Sequence, residues 1–244
     1  EIKKLINKEA LESFSNSIYQ GDNANYCISL FHDFLIDPNE TNKNFLFYMG
    51  ENLINWAEKN LNRGYFKMED VHHGSELFLG FLPRYIDIFP ENLKAKELII
   101  NVSKFIGNWD KETKDWYNYS LKNFNSWYFG SDGISDRDYY KFNTADHLRF
   151  VHIALLAWNI TSSQKYLDWS IDYSKQFAER IIIAKDTIPV AWNCEWNEFF
   201  SKDMINHEQK FLASNHHHFK DDPMSGIENL IASGFIFIFG ELYS

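Results

Sequence analysis

Apolar residues recur at the spacing of an α-helix along most of the chain, with polar residues between them. In the segment after His73, the apolar stripe consists of Phe78, Phe81, Leu82, Tyr85 and Phe89. The same criterion predicts helices over residues 2–20, 24–36, 38–61, 72–89, 91–107, 144–160, 165–183 and 225–243. No strand pattern competes with these helices, although residues 181–183 and 188–190 are compatible with short strands. The pattern therefore predicts an all-α protein.

The connections between the predicted helices are either very short or very long. The turns after residues 89 and 160 are short and indicate antiparallel hairpins, whereas the segments 108–143 and 184–225 exceed the roughly 12–15 residues of a structureless loop. In a ring of hairpins the long segments share one rim, and the helices that follow them begin there. We therefore expect one domain over residues 1–244, incomplete or part of a longer chain, with functional residues on that rim.

The first candidate site lies at the start of the helix predicted over 72–89. His72, His73 and Glu76 fall within one turn of that helix, so their side chains are neighbours. Three interpretations stand: a histidine bonded to local backbone at a helix start, a histidine that acts as catalytic base or acid, and a metal site that uses His72 and Glu76. A divalent cation is thus an option, but no motif requires a cofactor.

The second candidate follows the long segment 108–143 and repeats this arrangement. Asn143 and Asp146 are suited to cap the next helix, and His147 and Arg149 lie in its first turn. Residues two apart do not face each other on a helix, so His147 and Arg149 point to different sides. We expect both to lie near the rim that carries the first candidate.

Two further titratable residues lie inside predicted helices. His152 falls in an apolar stripe, where a hydrogen-bonded core histidine is the favoured interpretation. Arg84 is surrounded by apolar residues, and a buried arginine requires an anion. Arg84 is therefore either paired with an acidic side chain or placed to bind a substrate carboxylate.

The chain is rich in aromatic residues, with 8 Trp, 13 Tyr and 22 Phe. Many lie in the two long segments, interleaved with acidic and amide side chains. The candidate binding residues there are Trp127, Tyr128, Asp132, Tyr140, Trp192, Glu195 and Trp196. Rings that stack on the C–H faces of sugars, beside carboxylates that accept hydroxyl hydrogen bonds, are typical of carbohydrate recognition. Packing of the rings within the loops is the alternative.

Charge and composition narrow the choice of partner. The formal net charge of -10 and the lack of a Lys/Arg run disfavour nucleic acid, and no apolar run approaches the roughly 20 residues of a membrane span. Cys27 and Cys194 are too few for a disulfide framework. Glu1 is not an initiator methionine, which is compatible with a processed product. We expect an oligo- or polysaccharide partner, and a secreted or periplasmic protein in preference to a cytoplasmic one.

Four stretches place His, Tyr, Arg and Trp side chains on the predicted rim. They are His72-His73-Gly74-Ser75-Glu76, Ser126-Trp127-Tyr128-Phe129-Gly130, Asp146-His147-Leu148-Arg149 and Pro189-Val190-Ala191-Trp192. With the helical hairpins around them, over about residues 40–243, they resemble the (α/α) toroid enzymes of carbohydrate metabolism. That group includes polysaccharide lyases, unsaturated glucuronyl hydrolases and sugar epimerases. The resemblance implies an (α/α) toroid with irregular loops on one rim.

Within that group we favour a polysaccharide lyase that cleaves a uronic-acid-containing glycan by β-elimination. This chemistry needs a base, a cation for the uronate carboxylate and an acid for the leaving oxygen. The residues expected in these roles are His147 or His73, Arg149 or Arg84, and Tyr128 or Tyr140, respectively. A glycoside hydrolase or epimerase is the first alternative, with acid–base work by Glu76, Asp132, Glu195 or His147. A non-catalytic glycan-binding domain that depends on Trp127 or Trp192 is the second.

Overall fold

The structure, a computed structural model, describes residue 28 and residues 31–113, 115–184, 188–199 and 225–243. The helix predicted over 2–20, residues 24–27, 29 and 30 of the helix predicted over 24–36, and therefore Cys27, lie outside these residues. Of the described residues, 63% are helical and 11% are in strands.

Helices form most of the described structure. Residues 31–36 are helical, as predicted for that part of the chain, and the other helices are α1 (Glu40–Asn60), α2 (Val71–Leu79), α3 (Phe81–Ile88), α4 (Leu93–Ile106), α5 (Arg149–Thr161), α6 (Gln164–Ala184), α7 (Ser225–Ala232) and α8 (Phe235–Tyr243). A 3-10 turn, Ala145–Leu148, leads into α5. The helix starts follow local capping rules: before α1, for example, the Asn39 side chain accepts a hydrogen bond from the Asn42 backbone N–H at 2.9 Å.

In the described part of the chain, seven short strands form three small antiparallel sheets. The strands are β1 (Glu69–Asp70), β2 (Tyr117–Asn118), β3 (Asn123–Phe124), β4 (Tyr128–Gly130), β5 (Gly133–Ile134), β6 (Phe142–Thr144) and β7 (Ala191–Asn193). One sheet has the order β1-β4-β5, and the other two are the pairs β2-β3 and β6-β7. In the first sheet Asp70 is directly opposite Tyr128, and in the third Asn143 is opposite Trp192.

The prediction of an all-α toroid is wrong, because these sheets give the described chain mixed helix and strand content. Each strand has only two or three residues, which is too short to display the alternation by which a strand is recognised in a sequence. The short strand near the end of the chain lies at residues 191–193, whereas residues 181–183 are helical and residues 188–190 are irregular.

Two of the predicted helices are each divided into two. The helix predicted over 72–89 breaks at Gly80, because Pro83 has no N–H to donate to the Leu79 carbonyl and its ring crowds that carbonyl. The helix predicted over 225–243 breaks at Gly234, which has φ +78° and ends α7 in the left-handed conformation that glycine adopts readily.

The segment 108–143 is not an external loop, because its rings are part of the core. Trp116 is fully buried and lies 4.2 Å from Phe129, 4.9 Å from Tyr65 and 5.8 Å from Phe150, measured between ring centroids. Helices α4 and α6 pack on either side of α5 around this aromatic core. The segment therefore brings β4 against β1 at the start of α2.

Within the described ranges, we find no single helix that is both long and apolar enough to cross a bilayer. Helices α7 and α8 meet the length and composition requirement only when they are taken together, with a bend of 59° between them.

A candidate acid–base site at the start of helix α2

The candidate site lies where β1 ends and α2 begins. Asp70 is the last residue of β1 and the N-cap of α2, and its Oδ1 accepts a hydrogen bond from the His73 backbone N–H at 2.9 Å. The Val71 N–H donates to the Trp127 carbonyl at 3.1 Å and continues the pairing with β4 into the helix start. The strand register holds Asp70 opposite Tyr128, and the cap holds Asp70 against His73.

Asp70 and His73 form a hydrogen-bonded carboxylate–imidazole pair. His73 Nδ1 lies 2.6 Å from Asp70 Oδ2. A carboxylate only accepts hydrogen bonds, so Nδ1 carries a proton and, in the neutral ring, the lone pair is on Nε2. The bond to Asp70 raises the pKa of His73 above its ordinary value. The imidazole remains 41% exposed, so a ligand in solvent can reach it.

Three tyrosines form a cluster next to β1, in which Tyr128 lies opposite Asp70; Tyr128, Tyr139 and Tyr140 are called the tyrosine group below. The rings of Tyr128 and Tyr140 are stacked at 4.6 Å and 12°, and Tyr139 lies 4.3 Å from Tyr140. Desolvation, followed by the charges of Glu69 and Asp70, raises the pKa of Tyr128, and desolvation with the effect of Tyr139 raises the pKa of Tyr140 to about 12. Both phenols therefore keep their protons at neutral pH.

Arg137 is the cation beside the tyrosine group. Its Nη1 donates to the Tyr139 hydroxyl, and its guanidinium lies 5.7 Å from the centroid of the same ring. The charge of Arg137 acts against the rise in the pKa of both Tyr128 and Tyr140. Arg137 had no role in the sequence analysis, because nothing in its local pattern distinguishes it from a solvated arginine.

A second group of charges, the buried ion cluster, lies directly behind His73 and consists of His72, Glu76, Asp146 and Arg149. His72 Nε2 lies 3.3 Å from Glu76 Oε1, and its Nδ1 lies 3.4 Å from Asp146 Oδ1. Arg149 Nε lies 3.2 Å from the same Asp146 oxygen, and its Nη1 donates to the His72 carbonyl at 3.1 Å. The cluster joins the start of α2 to the start of α5.

Opposing effects act on the pKa of His72 in this cluster. Burial by itself would lower the pKa, but the contacts with Asp146 and Glu76 outweigh burial and raise it to about 9. The ring is therefore an imidazolium at neutral pH, and two cations balance two carboxylates. Glu76 and Arg149 are engaged with partners and are each 8% exposed, so the cluster positions helices and offers little surface to a ligand.

His147 is fully buried. Its Nδ1 accepts from the Thr144 backbone N–H at 3.1 Å, and its Nε2 lies 3.1 Å from the Ser126 carbonyl. Burial lowers the pKa of His147 to about 4, so the ring is neutral. The structure therefore places His147 in the core, away from His73, as part of the capping of α5.

Within the part of the chain that the structure describes, Glu69, Asp70 and His73 form a group that could bind a metal ion. One ligand atom from each residue lies within 4.8 Å of the others. Two carboxylates and an imidazole suit a divalent cation. Such an ion would displace the proton that His73 Nδ1 shares with Asp70, so metal binding and the hydrogen-bonded pair exclude each other if Nδ1 is the ligand atom.

An apolar pocket is lined in part by His73. Its volume, which includes space open to solvent, is about 260 Å³. His73 contributes one wall, and the others come mainly from Trp56, Leu61, Phe66, Leu77 and Phe78. The pocket is not part of the sequence analysis, because its residues come from α1, α2 and the connection between them.

The remaining predicted site residues are dispersed. Trp127, Trp192 and Trp196 are buried: Trp127 stacks on Phe142 at 5.3 Å, and the Trp196 indole N–H donates to the Leu121 carbonyl. Asp132 and Glu195 are exposed. Arg84 is exposed as well and donates to the Gly80 carbonyl at 2.6 Å. These placements give the tryptophans a packing role, whereas Tyr128 and Tyr140 remain partly exposed.

Asp70 is a functional candidate to which the sequence analysis assigned no role. Its signal was present, because a carboxylate three residues before a histidine at a helix start is positioned to cap the helix and to reach the ring.

No protein-family model, curated protein or solved structure is significantly similar to this chain.

Proposed function

We propose that the protein is an enzyme that cleaves a uronic-acid-containing glycan by β-elimination at the Asp70–His73 pair. The observation that supports this proposal is the 2.6 Å bond between a buried carboxylate and a solvent-accessible imidazole. Asp70 holds the tautomer in which Nε2 accepts a proton, which is the arrangement that a general base needs. The stacked tyrosines beside the pair supply neutral phenols and exposed ring surface.

In the proposed reaction, His73 Nε2 removes the proton from C5 of the uronate ring. The electron pair of the C5–H bond forms a double bond between C4 and C5, and the bond between C4 and the glycosidic oxygen breaks. Tyr128 donates its hydroxyl proton to the leaving oxygen, with Tyr140 stacked against it. The products are a shortened glycan and a 4,5-unsaturated uronate. His73 ends protonated and Tyr128 deprotonated, and proton exchange with solvent restores both, so atoms and charge balance without an added reactant.

His73 and Tyr128 are preferred to the other expected residues because of their surroundings. His147 is fully buried with both ring nitrogens at backbone groups, so it has no route to a polymer. Arg149 belongs to the buried ion cluster, and Arg84 lies on the exposed side of α3. The carboxylate partner expected from the sequence is therefore not among the residues beside His73.

The test is an ultraviolet scan of the protein with a panel of uronate and neutral polysaccharides, with and without a chelator. The expected result is an absorbance that rises with time for a uronate polymer and for no neutral one. An unchanged rate with the chelator supports His73 as base, and a lost rate that a divalent cation restores assigns the Glu69, Asp70 and His73 group to metal binding. Reducing ends without absorbance would contradict elimination in favour of hydrolysis. Binding without any product would contradict catalysis.

A further inference from the structure

The apolar pocket beside His73 has no part in the proton transfers described above. Among the described residues that line it, His73 is the only one with a titratable side chain, and the other main walls are Trp56, Leu61, Phe66, Leu77 and Phe78. Such a surface binds an apolar group and disfavours a charged one, because a charge that enters it loses water without gaining a partner.

The proposed chemistry determines which substrate group meets this pocket. The proton that His73 removes is on C5, and the carboxyl carbon C6 is bonded to that same C5. When the imidazole reaches the C5 proton, the C6 group must therefore lie within a few ångströms of the ring that forms one wall of the pocket.

The charges around His73 oppose a free carboxylate at that position. Asp70 is bonded to the imidazole, and Glu69 precedes it in β1 with its Oε1 accepting from the Asp70 N–H at 3.0 Å. Two arginines lie in this region: Arg149 is paired with Asp146, whereas Arg137 donates to the neutral Tyr139 hydroxyl and keeps its charge. A uronate anion would thus meet two carboxylates on one side and an apolar wall on the other.

On the basis of the proposed function, we propose that the substrate uronate is methyl-esterified and that its ester methyl group occupies the apolar pocket. An ester is neutral, so it needs no cation at C6, and its carbonyl acidifies the C5 proton without one. Elimination from the ester therefore does not require an arginine in contact with His73. It also agrees with the net charge of -10, because an esterified polymer is not repelled by an acidic protein.

The deciding experiment offers each uronate polymer of the panel in two forms, as the free carboxylate and as the methyl ester, and compares initial rates of ultraviolet absorbance. We expect the ester to react at least about tenfold faster. A rate with the free form that equals or exceeds that of the ester overturns the pocket assignment and leaves β-elimination intact. If the absorbance rises with neither form of any polymer, the proposed function is overturned, and this inference with it.

Two variants of the pocket test the placement of the methyl group. Leu61→Phe adds bulk to a wall residue with extended backbone and should lower kcat/KM for the ester by about tenfold. Leu93→Phe, the same substitution at a residue that is 75% exposed at the start of α4, is the matched control and should leave kcat/KM unchanged. Equal rates for the two variants, with circular dichroism showing both folded, would contradict the assignment.

Trp56→Leu gives a readout that does not depend on a loss of activity. This partly buried indole forms a wall of the pocket, and a smaller side chain enlarges it. The ratio of the ethyl-ester rate to the methyl-ester rate should rise by several-fold relative to the wild type. A ratio that stays constant would place the ester group outside the pocket.

Discussion

His73 and His147 occupy the same position at two helix starts, yet their surroundings differ in every respect that matters for chemistry. Each is the third residue after the N-cap, and each turns Nδ1 towards the N-cap residue. At His73 the partner of Nδ1 is the Asp70 carboxylate, and at His147 it is the Thr144 backbone N–H. The carboxylate requires a proton on Nδ1, whereas the N–H requires a lone pair there, so the two rings adopt opposite tautomers.

Burial separates the two histidines further. The His73 imidazole is 41% exposed and its pKa is raised by Asp70, while His147 is fully buried and its pKa is lowered to about 4. A ring that is exposed, with its lone pair on Nε2, can exchange protons with a ligand. A ring that is buried between backbone groups stabilises the fold. The comparison teaches that the partner of Nδ1 and the exposure of the ring, and not the helix position, decide between the two roles.

The largest expected effect is the loss of turnover in His73→Gln. Glutamine has a similar shape and can still hydrogen-bond Asp70, but it cannot accept the C5 proton, so kcat should fall by about 10²–10⁴-fold. The measurement is the initial rate of ultraviolet absorbance with the preferred polymer. The matched control is His32→Gln, at an exposed histidine in residues 31–36, which should retain the wild-type rate. Activity near the wild-type level in His73→Gln would remove His73 from the mechanism.

The next effect is on stability, in His147→Leu. Leucine preserves apolar contact with Phe124, whose ring centroid lies 4.9 Å from that of His147, but it leaves the Thr144 N–H and Ser126 carbonyl without their ring partners. The free energy of unfolding should decrease by about 2–4 kcal/mol, measured by urea denaturation at pH 7. His73→Gln should change it by less than about 1 kcal/mol, because the ring is partly exposed and glutamine can still hydrogen-bond Asp70. Equal destabilisation by the two variants would invalidate the comparison.

The pH dependence of the free energy of unfolding tests whether His147 is buried in its neutral form. Its pKa is about 4 in the folded protein and 6.5 in an unperturbed chain, so the unfolded state binds more protons between these values. Wild-type stability should therefore decrease as the pH falls from 6.5 to 4. His147→Leu should show a shallower decrease, with the remainder due in part to His152, whose pKa is also lowered to about 4.

The smallest effect is expected in Asp70→Asn. Asparagine preserves the helix cap but removes the negative charge, so the pKa of His73 should fall and the acidic limb of the kcat/KM profile should move to lower pH. The maximal rate should drop by about tenfold, because the amide no longer enforces the Nδ1–H tautomer. The measurement is the pH profile of both proteins with the same polymer. A limb that moves to higher pH, or does not move, would exclude His73 as the group that titrates.

Part of the fold was predictable because its causes are local. The helix predicted over 38–61 is found as α1 (Glu40–Asn60), and the helix predicted over 91–107 as α4 (Leu93–Ile106), since apolar period and capping residues lie within a few positions of each other. The break at Gly80 was missed although Pro83 signalled it. The strands were missed because two- and three-residue strands have no period of their own.

The candidate site was only half predictable. His73 and Tyr128 were among the candidates, but nothing in the chain order indicated that Asp70 pairs with Tyr128 across β1 and β4. The role of the tryptophans was equally hidden, because a ring in a long segment looks the same whether it faces solvent or, like Trp127, packs on Phe142.

The sequence by itself determined the helical periods and the presence of two histidine-bearing helix starts, because each depends on residues within one or two turns. Only the tertiary structure decided which histidine is exposed, which arginine is engaged and where an apolar pocket opens. Those properties depend on groups far apart in the chain, as in the bond from Arg149 to the His72 carbonyl across 77 residues. Burial and charge pairing arise from such long-range contacts, and they convert two similar helix starts into one candidate catalytic base and one core residue.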